Sequence, residues 1–514
     1  MKSLSASTFL LFLFILCFPG CVRVGPDFKQ PATGLAPDWT EIKDPRLNKD
    51  LPRDRDWWEY FQDPVLSRLI SRAAGQNLTL RQAGLRVLEA RAQLAQTAGQ
   101  LFPQSQQVSG HIQYNRISER SLQAGFTGSQ YGQSDVAFSA AWEIDFWGKY
   151  RRAIESAEAS WLSTIDDYDS ALVSLTADVA DAYLLIRTLG KRIGIARQNV
   201  VVQEDNLKIV EARVRFGLTT DLDLEQARTA LINTRSSIPV LETRLRQTQN
   251  ALSLLLGLPP GDLSELLTGP GEIPVPPAQI AVGVPADLLR RRPDIRSLEQ
   301  LARAQGARIG LAKADLYPAF SLSGFFGFLS TDVGQNHLTD LLRWDARTWQ
   351  IGPSFQWNLF NFGRIKNNVR VQDARFEQQV TAYQNSVLKA QQEVENALAA
   401  YLKSQDRAAL LAQGAEAARR ALDLSLLQYR EGAKDFTTVL IAQQTLLSQQ
   451  DNLTDTLGTI ALNLVAVYRA LGGGWEIREG HDLVPPVVRQ KMAQRTDWGR
   501  LLDLTVDHSV QRSE

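Results

Sequence analysis

The sequence predicts a membrane protein of mixed α and β structure, built as a tandem duplication in which very long coiled-coil helices alternate with pairs of amphipathic strands. Three observations predict it. The 514-residue chain repeats itself at a fixed offset, each half holds a helical stretch far longer than a globular core requires, and each half carries two segments that alternate apolar and polar residues.

The repeat is read first because it sets the rest. Leu101 to Pro103 reads LFP, and Leu316 to Pro318 reads LYP, 215 positions on. The same offset joins Trp142 to Trp357, Gly148 to Gly363, Val179 to Val394, Arg215 to Arg430, Gly217 to Gly432 and Gly257 to Gly472. A register held over about 150 residues is a duplication, not chance. Between the copies, residues 257–293 hold eight of the 21 prolines and read as linker.

No proline interrupts Tyr150 to Phe216, and its counterpart runs from Arg364 to Glu431. Sixty-seven helical residues extend about 100 Å, the length of a rod or a tube wall. Along the first, Val179, Ala182, Ile186, Leu189, Ile193, Ala196, Val200, Leu207, Val210 and Val214 alternate spacings of three and four, with Gln203 the polar member. That is a coiled-coil period. Leu453, Leu457, Ile460, Leu464, Val467 and Leu471 repeat it in the second half. Shorter helices are expected over 64–101, 220–256, 287–316 and 437–471, each about half as long.

The strands follow Pro103 and Pro318. Val108, Ile112 and Tyr114 alternate with Ser109, His111, Gln113 and Asn115, and Val136, Phe138, Ala140 and Trp142 face away from Asp135, Ser139 and Glu143. Phe320, Leu322, Phe326 and Phe328 oppose Ser321 and Ser323, with Phe325 the exception, and Trp349, Ile351, Phe355 and Trp357 oppose Gln350, Ser354, Gln356 and Asn358. Four strands of about ten residues with aromatic ends fit a porin-like wall. Four cannot close a barrel, whereas three copies supply twelve. A half-buried sheet in a soluble domain would alternate in the same way.

Charge is balanced at 56 basic and 56 acidic side chains, which gives no reason to expect nucleic acid. The cysteines, Cys17 and Cys21, both lie in the first 21 residues and so do not staple the fold. Lys2 precedes an apolar run from Phe9 to Phe18, too short to cross a bilayer of about 30 Å and typical of a secretory leader. The run ends in FPGC, whose Gly20 and Cys21 match a lipoprotein cleavage box while Phe18 and Pro19 depart from it. These residues alone fit either a lipoprotein leader or a plain one.

Each long helix ends in arginine and glycine. RFGLTT (Arg215, Phe216, Gly217, Leu218, Thr219, Thr220) and REGAK (Arg430, Glu431, Gly432, Ala433, Lys434) are read as two tight hairpin tips. The glycines are expected in the left-handed conformation, the arginines complement the helix dipole, and Thr220 or Asp221 and Asp435 or Thr437 are N-cap candidates. Loop chemistry alone would account for these residues. The functional alternative makes the tips partner contacts, with Asp221, Asp223 and Asp435 lining a constriction.

Four segments carry a family resemblance: CVRVGPDFKQP from Cys21, WWEYFQDPVLSRLI from Trp57, VPADLLRRRPDIRSLE from Val284 and YRALGGGW from Tyr468. Over about residues 21–475 the chain resembles the TolC-type outer-membrane factors, in their OprM-like lipoprotein branch. The resemblance implies a homotrimer with a twelve-stranded β-barrel in the outer membrane of a Gram-negative bacterium, continued by a periplasmic α-barrel. It implies an exit duct for drugs and other small molecules, docked through the two tips to a periplasmic adaptor and an inner-membrane transporter. It also implies a lipidated Cys21, with Val22 placing no inner-membrane retention residue after it. The family's entrance aspartates fall here on Thr438 and Ile441, although Asp223 fills the first of these places in the other repeat. The candidate entrance is therefore Asp221, Asp223, Asp435 and Thr438.

The organisation read from the chain is a leader (1–20), a lipid-anchored extended segment (21–63), a first repeat (64–256), a linker (257–286), a second repeat (287–472) and a tail (473–514) expected to be mobile. An enzyme is not expected: the four histidines lack metal-ligand spacing, no phosphate-binding loop occurs, and no cofactor or metal is implied. The rival readings are a duct for type I protein secretion or metal-ion efflux, and a periplasmic coiled-coil scaffold.

Overall fold

A computed structural model describes residues 23–50, 55–120, 124–127, 129–269 and 271–503. The leader and Cys21 lie outside the described residues. In chain order the main elements are α1 (Pro64–Gln76), α2 (Leu78–Gly99), β1 (Ser105–Arg116), β2 (Gln130–Ile144), α3 (Lys149–Arg215), α4 (Asp221–Leu255), α5 (Pro293–Ala314), β3 (Ala319–Thr331), β4 (Arg347–Gln356), α6 (Arg364–Arg430), α7 (Phe436–Leu471) and α8 (Pro486–Arg495). The long helices α3 and α6 are each 67 residues. No described helix is long and apolar enough to cross a membrane.

The chain forms two compact units, and each draws on both sequence halves. One comprises Leu88–Ser163 and Leu298–Tyr383 with the chain up to Pro31. Its sheet is antiparallel in the order β1-β2-β3-β4, so β1 and β4 are its edges. Val108 pairs with Phe138, Phe138 with Phe326, and Phe326 with Trp349, which lines apolar side chains along one face. Within the chain that face is open, with Ile112 84% exposed. Each half also ties its strand pair to the preceding helix by one indole. Trp142 Nε1 donates to the Leu101 carbonyl and Trp357 Nε1 to the Leu316 carbonyl.

An N-terminal strap packs on this unit where β2 passes into α3. The Val24 amide donates to the Trp147 carbonyl at 3.1 Å. The buried Arg152 guanidinium donates to the carbonyls of Val24 and Gly25 and meets Asp27 at 2.9 Å. Gly25, at φ +102°, lies so close to Gly310 that a Cβ there would fall 2.4 Å from its Cα.

The second unit comprises Ala32–Val87, Thr164–Ser297 and the chain from Gln384. Two expected helices are each broken here. Asn77 separates α1 from α2, and Arg292 separates a short turn (Leu288–Arg291) from α5. The breaks are equivalent positions of the repeat with equivalent work. Asn77 Nδ2 donates to the Leu255 carbonyl and Arg292 Nη1 to the Ala470 carbonyl, satisfying carbonyls that the C-terminal ends of α4 and α7 leave open. Pro293 also biases Arg292 toward extended backbone.

The buried stripe of α3 follows the expected positions from Val179 to Ala196 and then slips by one at two places. Asn199 and Asn206 are buried in place of Val200 and Leu207, while Gln203 and Val210 keep their expected buried places. This shift to the earlier neighbour runs opposite to the drift of a straight helix of about 3.6 residues per turn, and it goes with Asn199 Nδ2 donating to the Ile195 carbonyl and to Gln450 Oε1 of α7. In α7, Ile460, Leu464, Val467 and Leu471 are buried as expected while Leu457 is exposed.

The expected mobile tail is packed as far as the described residues extend. Leu483 and Val484 are buried, with the Leu483 carbonyl against Gly84, where a Cβ would meet it at 2.3 Å. Arg478 is buried and donates through Nε and Nη2 to Asp169 of α3, which also accepts from Arg296 at 2.9 Å. The Trp475 ring covers the Arg296 guanidinium at 4.5 Å.

Candidate functional site

The two tips lie in the second unit, and the structure closes both by the same backbone device. At the first, the Leu218 amide donates to the Arg213 carbonyl and the Gly217 amide to the Val214 carbonyl, at 2.8 and 2.9 Å. At the second, Ala433 donates to Gln428 and Gly432 to Tyr429, at 2.9 and 3.1 Å. These are paired Schellman bonds, which need a left-handed residue, and Gly217 and Gly432 supply it at φ +68° and +73°.

The return helices start differently. Thr220 caps α4 through a full capping box in which its side chain takes the Asp223 amide and the Asp223 carboxylate takes the Thr220 amide. Asp223 also accepts from Thr219 Oγ1 at 2.5 Å and Thr220 Oγ1 at 3.0 Å. Partial burial opposes its ionisation, yet these hydrogen bonds hold its carboxyl below the usual carboxylate range. Asp435 occupies the cap position of α7 without a side-chain cap bond, and its carbonyl accepts from the Thr438 amide at 3.1 Å. Of the candidate entrance residues, Asp221, Asp435 and Thr438 are exposed, while Asp223 is engaged in holding its own turn.

One core joins the tips. Val210, Ala227, Leu422, Tyr429, Phe436 and Val439 are buried together, and the Tyr429 and Phe436 rings meet at 5.4 Å. Arg213 bridges them from outside that core. Its guanidinium lies 4.6 Å from the Tyr429 ring centroid, and its Nη1 donates to the Tyr429 carbonyl at 3.2 Å. A cation thus sits on the negative end of the α6 dipole, supplied by the other long helix. The sequence reading assigned dipole duty to Arg215 and Arg430, both exposed here. Arg213 went unread because its partner lies 216 positions away and no local spacing announces it.

The outward faces of the tips differ in chemistry. The first projects Phe216, 75% exposed, with Leu218 and Leu222 beside it. The second projects Glu431, Lys434 and Asp435 with no large apolar side chain.

Two long helices ending in paired tips, each preceded by a short helix and a pair of amphipathic strands, is the arrangement on which comparison with known proteins is decisive. The family model for the outer membrane efflux protein matches the chain twice, over residues 69–258 and 284–473. The chain belongs to the outer membrane efflux protein family. It is 30% identical over 487 residues to the probable outer membrane lipoprotein SilC of Salmonella typhimurium, covering 92% of this chain and 99% of that one. It is 32% identical over 461 residues to the pyoverdine export outer membrane protein OpmQ of Pseudomonas putida, covering 87% and 94%. Among solved structures, the outer-membrane channel OprN superposes with a TM-score of 0.81 at 32% identity, covering 88% of this chain and all of that one. CusC follows the same fold with a TM-score of 0.74 at 26% identity. The efflux family member described here is therefore an outer-membrane channel of TolC-like fold, the exit duct of an efflux pump in a Gram-negative bacterium.

Proposed function

We propose that this efflux channel works as a homotrimer, passive and without catalysis, and that it docks through its two helical tips to a periplasmic adaptor fed by an inner-membrane transporter. Cys21 carries the lipid that tethers it to the outer membrane, two acyl chains giving firm anchoring where one is marginal. The observation that carries the docking role is the shared tip core, because Arg213 and Tyr429 hold both turns rigidly while Phe216 and Leu218 stay uncovered. An exposed aromatic on a rigid turn is the usual form of a contact anchor.

Relatives are named for cations, antibiotics, toluene and pyoverdine. That range supports a duct that imposes no cargo of its own and leaves selection to the transporter. The test is capture: cysteine in place of Phe216 or Glu431, in cells carrying the whole pump, should crosslink to the adaptor. Cysteine in place of Ile112 on the strand face should not. Tip variants that export normally and never capture an adaptor would remove the docking role.

A further inference from the structure

We infer that the aromatic turn after β4 is an interlocking element between copies of this chain, Phe362 of one copy seating on Phe102 and Pro103 of the next. This deepens the homotrimer reading above and rests on it.

The chain already contains this contact once. Where β2 ends, Trp147 stacks on Tyr317 with centroids 4.6 Å apart, and its Nε1 donates to the Pro318 carbonyl at 2.9 Å. The repeat offset of 215 converts Trp147 to Phe362, Tyr317 to Phe102 and Pro318 to Pro103. Those counterparts cannot meet within one chain, because β1 and β4 are opposite edges of the sheet. The exposures follow that difference. Trp147 and Tyr317 are half-buried, whereas Phe362 is 99% and Phe102 65% exposed.

The backbone is a second, independent sign. Phe362 is held at φ +48°, a left-handed conformation that bulky residues avoid, with nothing among the described residues over its ring. Strain retained at an uncovered aromatic marks a contact that the isolated chain leaves incomplete. A second copy fits it because the receiving motif, helix end then aromatic then proline, is the one that already receives Trp147.

The same transfer sets the strand register across the seam. β3 lies 214 rather than 215 positions from its counterpart β1, since Val108 pairs with Phe138 while Leu322 pairs with Pro353. Carrying the β2–β3 pairing across with that correction places Gln356 opposite Ser109 and Trp357 opposite Val108 in the next copy. Apolar side chains then meet on one face and polar ones on the other.

Cysteine pairs in the full chain test this, with the wild type as background. Phe102→Cys with Phe362→Cys, treated with a short bismaleimide, should give covalent dimer and trimer bands that neither single variant gives. Ser109→Cys with Gln356→Cys should form disulfides on mild oxidation. Gln107→Cys with Gln356→Cys should not, because a two-residue slip separates the Cα atoms beyond disulfide reach. Light scattering on the same samples reports the assembly independently. Trimer mass without crosslinks at the first pair overturns the Phe362 seat, and crosslinking of the slipped pair in place of the direct one overturns the register. Monomer mass overturns the trimer reading and the seam together.

Discussion

Trp142 Nε1 donates to the carbonyl of Leu101 at 3.1 Å, and 215 residues later Trp357 makes the same bond to Leu316 at 3.0 Å. Each indole satisfies a carbonyl at the helix end that proline leaves open, and fixes where the strand pair departs. Trp142→Phe keeps the ring and removes the bond, so it should cost about 0.5–1.5 kcal/mol. Thermal unfolding of the detergent-solubilised protein measures it, and Trp357→Phe should lose a similar amount.

Gly217 and Gly432 have open space where a side chain would go, so substitution there is penalised by backbone conformation alone. Valine at either position should strain the turn by about 1–2 kcal/mol. The predicted outcome is a protein of unchanged oligomeric mass that binds its adaptor poorly and exports less drug. Normal export from well-folded Gly217→Val and Gly432→Val would show that the turns tolerate reshaping.

Asp169 is buried and accepts from Arg296 and Arg478. Asp169→Asn leaves the buried Arg478 guanidinium undercompensated and the half-buried Arg296 with Asp166 alone, a loss of about 3–5 kcal/mol for breaking a buried pair. Because Arg478 belongs to the C-terminal segment, trypsin cleavage after Arg478, Arg489 or Lys491 should become rapid while the long helices stay intact. Mass spectrometry of the early fragments reads this directly.

Asp166 is raised to about 7, chiefly by burial, with Arg296 and Arg478 opposing and Asp169 and Asp167 reinforcing. Between roughly pH 4 and 7 the folded protein holds a proton that the unfolded chain releases. Stability from this group therefore falls as pH rises through that window and levels off above it. Asp166→Asn should flatten the slope, which denaturant midpoints at pH 4.5 and 7.5 would detect.

The duplication, the strand faces and the tip glycines were legible because each rests on local spacing: an offset, a period of two, or a glycine after an arginine. What was not legible depends on distant partners. Asn77 looks like an ordinary helix position until the Leu255 carbonyl is brought to it, and at Arg292 the following proline hints at a break without showing the Ala470 carbonyl it serves. The tail beyond Trp475 has no periodicity, yet Arg478 finds Asp169 309 positions away. Asp223 read as an entrance acid because it follows the tip among other acids and falls on a family position, and the capping box that engages it needs the turn geometry to be seen. The shift from Val200 to Asn199 goes with a partner on α7, Gln450, to which Asn199 donates, and no count along α3 alone shows it.

The strap that pins Val24 and Gly25 beside Trp147 also fixes a length. Two peptide units separate Arg23 from Cys21, a reach of about 7 Å. If Cys21 carries the lipid proposed above, that lipid would be moored on a very short line to the point where β2 hands over to α3. Such a mooring would leave the channel little freedom to ride up or down in the outer membrane, so the anchor would act as a depth gauge for the strands as well as a tether.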